Sequence, residues 1–163
     1  MSNNATVENL NKALQMEMSA AHQYQLHAHV LDDWGLNLLA DKMREEQAEE
    51  IEHSDLFIER IMFLKGTPEI AFAKLPRRAE TLPDMFKADL ADEEEAVEFY
   101  LSAARQAYEA NDVGSRMLFE KIAMDEEGHK AWLELQLELI ERIGDRAYSA
   151  KMVSVIQDED PST

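Results

Sequence analysis

Cysteine is absent from the 163 residues, which excludes disulfides, thiolate–zinc sites and thiol catalysis and fits a reducing cytoplasm. Glycine and proline are scarce, five and four in number, and the stretches between them are rich in Ala, Leu, Glu, Gln, Met and Lys. Those residues lose little side-chain freedom in a helix, so the composition reads as all-α. No apolar segment is long enough to span a bilayer, and no charged start leads into an apolar run, so no membrane partner and a cytoplasmic location are the default expectations. Basic residues are outnumbered, 16 Lys and Arg against 34 Asp and Glu, for a formal charge of −18. A nucleic-acid backbone would be repelled at long range, and cations are the natural partners. Charge alone does not imply a metal site, since an acidic surface is often only a solvated one.

The 45% hydrophobic content suits one core and one domain, taken as residues 1–157, with a polar, frayed tail over 158–163. Helical spacing of Leu10, Leu14, Ala21, Tyr24 and Ala28 predicts a first helix over 6–34, closed by Gly35. A second is predicted over 37–65, ended by Gly66-Thr67-Pro68. The stretch 66–83 holds three of the four prolines and reads as a long crossover. Helices over 82–110 and 113–143 follow, then a break at Gly144 and a short fifth helix over 146–156. Four long helices with one long middle connection predict a ferritin-like four-helix bundle.

Glu-x-x-His occurs twice, at Glu50–His53 and Glu126–His129. In so acidic a chain that alone is weak. The spacing between the copies is more constrained. An offset of 76 residues relates Glu50 to Glu126, His53 to His129, Glu17 to Glu93 and Tyr24 to Tyr100, along with several apolar positions. Two helical hairpins related by a pseudo-two-fold axis would produce this pattern. Glu and His three apart differ by about 60° around the helix and can reach one ion. Four carboxylates and two imidazoles in one interior suit two Fe(II) or Mn(II) ions, with Glu50 and Glu126 bridging and Glu17 and Glu93 terminal.

The stretches Glu17-Met-Ser-Ala-Ala-His-Gln-Tyr24-Gln-Leu-His-Ala28, Trp34-Gly35-Leu36, His53-Ser-Asp55, Ile58-Glu-Arg-Ile61, Asp89-Leu-Ala91 and Asp125-Glu-Glu-Gly-His129 with Trp132-Leu-Glu134 resemble bacterioferritin. The resemblance runs from about residue 7 to 148. It implies a ferroxidase whose di-iron ligands are Glu17, Glu50, His53, Glu93, Glu126 and His129, with Tyr24 aiding electron transfer. It implies iron storage and detoxification in a shell of twenty-four subunits, with Fe(II) oxidised by dioxygen or peroxide and kept as ferric mineral. Glu45, Glu46 and Glu49 match positions that bind iron on the inner surface of the shell; a solvated helix face would explain them equally. One position departs from the family. The methionine that ligates haem b after the second-helix bridging glutamate is Ile51 here. A shell of this chain alone should therefore lack normally ligated haem, unless a methionine-bearing sister subunit co-assembles or other ligation serves.

Other conspicuous residues read as structure. Met16, Met18, Met43, Met62, Met85, Met117 and Met124 are expected to pack, Trp34 and Trp132 to anchor core or interface, and His22, His27 and His29 to face an interface, the shell surface or solvent. The competing functions are a di-iron redox enzyme without mineral storage, such as a rubrerythrin-like peroxidase or oxidase, and a metal-free helical assembly protein. The first lacks the Cys-rich domain of rubrerythrins. The second leaves the buried carboxylates uncompensated. A DNA-protecting mini-ferritin is disfavoured because its ligands are shared between subunits.

Overall fold

A computed structural model describes residues 2–154 of the chain. Among the described residues five helices are formed: α1 (Ser2–Asp33), α2 (Asn37–Phe63), α3 (Leu82–Glu109), α4 (Val113–Ile143) and α5 (Asp145–Ala150). The chain has the all-α, ferritin-like arrangement expected, with α1 packed chiefly on α2 and α3 chiefly on α4. The polar tail over 158–163 and the end of the predicted fifth helix, 155–156, lie outside the described residues.

Three helices stop in the same way. After each, one residue turns left-handed, and the next backbone N–H returns to a carbonyl five residues earlier: Gly35 (φ 79), Lys65 (φ 63) and Asn111 (φ 57), with bonds from Leu36 to Leu31, Gly66 to Ile61 and Asp112 to Ala107. The left-handed residue after α2 is thus Lys65, one before the predicted Gly66. Gly66 is needed for space, because a Cβ there would meet Val7 Cγ1 at 2.7 Å. At the other ends, Thr81 and Asp112 accept N–H bonds from Asp84 (3.2 Å) and Ser115 (3.0 Å) as N-caps.

The crossover over 64–81 is stapled along one stripe of α1. Asn11 donates to the Thr67 carbonyl and accepts from the Glu69 N–H, Ser19 accepts from the Ala73 and Lys74 N–H groups, and Gln23 both donates to and accepts from the Arg77 backbone. Positions 11, 19 and 23 fall on one face, so a proline-rich segment finds its backbone partners in α1 side chains. α5 is shorter than predicted and packs back on the bundle through Tyr148, whose hydroxyl donates to Gln136 at 2.7 Å.

The buried apolar residues form two clusters. One gathers Leu31, Leu39, Met43, Met85, Phe86 and Leu133 with Tyr148; the other gathers Leu10, Leu14, Phe57, Ile61, Tyr100, Phe119 and Ile122. Trp34 and Trp132 pack partly buried against the first. Of the methionines, Met43 and Met85 are fully buried, whereas Met62, Met117 and Met124 are exposed, contrary to the packing expectation. Helical spacing alone does not separate a core stripe from its flank.

Candidate metal centre

Along each long helix, one glutamate falls between the two apolar clusters: Glu17 between Leu14 and Tyr24, Glu50 between Met43 and Phe57, Glu93 between Phe86 and Tyr100, Glu126 between Ile122 and Leu133. All four are buried, and so are His53 and His129. The bundle therefore carries one polar layer enclosed by hydrocarbon at both ends, where unpaired charge would be very costly.

Within that layer the side chains form two metal-sized sets, Glu17, Glu50, His53, Glu126 and Glu50, Glu93, Glu126, His129, the ligand atoms of each set lying within 4.8 Å of one another. Glu50 and Glu126 belong to both. His53 Nδ1 is 3.2 Å from Glu50 and from Glu126 and 3.5 Å from Glu17. His129 Nδ1 is 3.2 Å from Glu50, 3.0 Å from Glu126 and 3.6 Å from Glu93. Bonds of about 2.1 Å to one first-row ion place neighbouring ligands about 3 Å apart, so these separations match a shared cation. Glu46 Oε2, Glu50 Oε1, Glu126 Oε2 and both ring nitrogens of His129 are buried without a hydrogen-bond partner, which is the condition a metal relieves.

In the absence of metal, protons serve as the counter-charge. Burial opposes the positive charge of His53 and His129, but close pairing with the surrounding glutamates outweighs it and raises both pKa values. Burial, reinforced by Glu17 and Glu126, lifts Glu50 well above the usual carboxylate range; burial and Glu126 lift Glu93, against the pull of His129. Burial works against ionisation of Glu126 too, yet the two imidazoles hold it down to about 2. Metal can bind only as protons leave. Two divalent ions per chain should release at least two protons at pH 7, measurable with an indicator dye in weak buffer; uptake without proton release would contradict this charge balance.

Tyr24 donates to Glu93, and Tyr100, absent from the predicted site, donates to Glu17. Burial raises both phenols, as do the neighbouring glutamates. The 76-residue pairing of the two tyrosines was the signal for Tyr100. The histidines' outer nitrogens face carboxylates: His53 Nε2 hydrogen-bonds Asp125 at 3.2 Å, and His129 Nε2 lies at ion-pair distance from Glu46, 2.8 Å, and Glu49, 3.2 Å. Glu45 is exposed and Glu49 half-exposed, whereas Glu46 is buried between His129 and Lys42; Glu46, Glu49 and His129 together form a further metal-sized group. Asp125 is the offset mate of Glu49.

His27 corrects another expectation. It is buried, with Nδ1 3.0 Å from Asp89 and Nε2 2.8 Å from Gln23. A helix flanked by two neighbours buries a wide arc, and 80° from Glu17 still lies inside it. His22 is half-buried against Phe72 and His29 is exposed. Asp89 is raised by burial and partly rescued by His27. His27→Ala, which leaves that carboxyl buried without its partner, should cost on the order of 3 kcal/mol in denaturant unfolding.

The centre is approached from two sides. A cavity of about 120 Å3 between α1 and α3, under residues 73–75, is walled by Glu17, Tyr24, Glu93, Tyr100 and the two shared glutamates. A wider depression of about 400 Å3 between α2 and α4 reaches His53, Glu49 and Asp125. Among the described residues no helix is long and apolar enough to cross a membrane.

Residues 7–143 match the sequence model of the ferritin-like domain. The bacterioferritin of Brucella melitensis is 39% identical over 142 residues, covering 87% of this chain and 88% of that protein, and that of Mycolicibacterium paratuberculosis is 39% identical over 89% and 91%. Among solved structures, the Rhodobacter capsulatus bacterioferritin, described with a metal-free dinuclear site and haem iron, superposes with a TM-score of 0.91 at 36% identity, over 94% of this chain and 96% of that one. Mycobacterium tuberculosis bacterioferritin BfrA gives 0.89 at 37% identity, over 92% and 94%.

Proposed function

Because the chain belongs to the bacterioferritin family of ferritin-like proteins, we propose that it stores iron, oxidising Fe(II) at the Glu17, Glu50, His53, Glu93, Glu126, His129 centre and keeping the ferric product as mineral inside a cytoplasmic shell of twenty-four copies. The observation that carries this reading is the pair of buried ligand sets sharing two glutamates, with polar atoms left unpartnered between them.

Two Fe(II) substrate ions supply two electrons, which with two protons reduce dioxygen to peroxide, or peroxide to water. The protein's part is to hold and orient. Glu50 and Glu126 face both positions, Glu17 and Glu93 complete one each, and the tyrosine hydroxyls fix those terminal carboxylates. Tyr24, hydrogen-bonded to Glu93, takes the electron-transfer role in this reading. Apolar layers above and below exclude bulk water. Glu45 and Glu49, accessible beside the wider depression, are the residues offered to iron moving toward the shell interior. At the position where the resemblance puts the haem ligand, Ile51, exposed on α2, presents hydrocarbon and no axial donor, so a shell of this chain alone would carry no such ligation there.

Aerobic Fe(II) addition to metal-free protein, with ferric absorbance and particle size followed together, tests the reading. The expected result is a fast phase saturating near two iron per chain, then mineral growth inside a large particle. A fast phase with no mineral and a small oligomer would mark a di-iron redox enzyme instead.

A further inference from the structure

The two halves of the centre are related by the 76-residue offset, but their surroundings are not. That offset takes the ligands onto ligands and Glu49 onto Asp125, yet it takes Glu46 onto Ile122, Lys42 onto Leu118 and Trp132 onto Leu56. Only the His129 half therefore carries a second, buried carboxylate. Glu46 Oε2 stands 2.8 Å from His129 Nε2, an ion-pair contact whose angle gives neither atom a hydrogen bond, with Glu49 behind it at 3.2 Å. The other Glu46 oxygen takes the Lys42 ammonium, which lies 5.4 Å from the Trp132 ring centroid. This cation lets Glu46 stay ionised although its side chain is only 5% exposed. His53 Nε2 instead meets Asp125 at 3.2 Å and Glu49 at 3.9 Å; the Asp125 side chain is 31% exposed and shared with Lys121 at 3.1 Å.

A carboxylate paired closely with the Nε2 side of a ligating imidazole favours the tautomer that leaves the Nδ1 lone pair for the metal and strengthens it as a donor. The effect grows as the pair leaves water. We propose that Glu46, held by Lys42, is a positioning residue that makes the two metal positions unequal, the one built from Glu93 and His129 binding divalent metal more tightly than the one built from Glu17 and His53. The proposal rests on the reading of the centre as a two-metal site.

Titrating the metal-free protein with Co(II) alone, read by visible d–d absorption against a competing chelator, tests it. The wild type should bind two Co(II) per chain in two resolved phases. Glu46→Gln, which keeps the shape and removes the charge, should weaken the tighter phase about 10- to 100-fold and leave the other within about twofold. Glu46→Asp should restore part of the loss. In a His129→Ala background, where one Co(II) remains, Glu46→Gln should change its affinity less than about twofold, since independent sites do not couple. Equal weakening of both phases, no weakening, or persistence of the effect without His129 would overturn the assignment while leaving the two-metal reading intact. No Co(II) bound by the wild type would overturn both.

Discussion

Glu126→Ala is expected to eliminate the fast phase of Fe(II) oxidation, slowing initial turnover at least about a hundredfold, and to destabilise the metal-free protein as well. Glu126 lies in both ligand sets, so its loss opens both positions at once. Its second effect follows from the imidazoles it faces. Held down to about 2 by His129 and His53, the carboxylate contributes stability that is present above its ordinary pKa near 4.5 and disappears as pH falls toward 2. Removing it at neutral pH should cost on the order of 3 kcal/mol in denaturant unfolding. Stopped-flow absorbance on the same sample reads the kinetic loss. A variant that oxidised Fe(II) at the wild-type rate would place the chemistry elsewhere in the chain.

Metal should stabilise the bundle strongly. A ligand at a hundredfold excess over its Kd adds about 2.7 kcal/mol per site, and a chain of this size shifts by roughly 2–4 °C per kcal/mol. Filling both positions with Co(II) should thus raise Tm by on the order of 10 °C. The gain should be larger at pH 8 than at pH 6. His53 and His129, with folded pKa values raised, give the metal-free fold stability that is complete below about pH 6.5 and drains away as pH rises through their folded values. Metal affinity moves the opposite way, because the displaced protons are released more readily as their activity falls. An unchanged Tm with Co(II) at either pH would contradict the view that the polar layer is built around cations.

Much of this arrangement is legible in the sequence. The bundle followed from periodicity, scarce helix breakers and one proline-rich connection, and the four glutamates and two histidines from a single offset that chance does not produce. What escaped depended on tertiary neighbours. Lys65 rather than Gly66 turns left-handed, and Gly66 instead serves close contact with Val7, 59 residues earlier. His27 is drawn inward by Asp89 on another helix, which one helical wheel does not reveal. Glu46 looked like one more acid on a charged face until His129 and Lys42 were seen to enclose it. Asp125 and Tyr100, by contrast, stood at the same offset as Glu49 and Tyr24 and were legible from spacing alone.

The central claim is that two iron ions share Glu50 and Glu126 in the middle of the bundle. Anomalous difference density at the iron edge, from crystals soaked with Fe(II) without oxygen, tests it most directly. Two peaks per chain are expected, one among Glu17, Glu50, His53 and Glu126 and the other among Glu50, Glu93, Glu126 and His129. Iron found only along the exposed acids of α2, with none between the shared glutamates, would contradict the account.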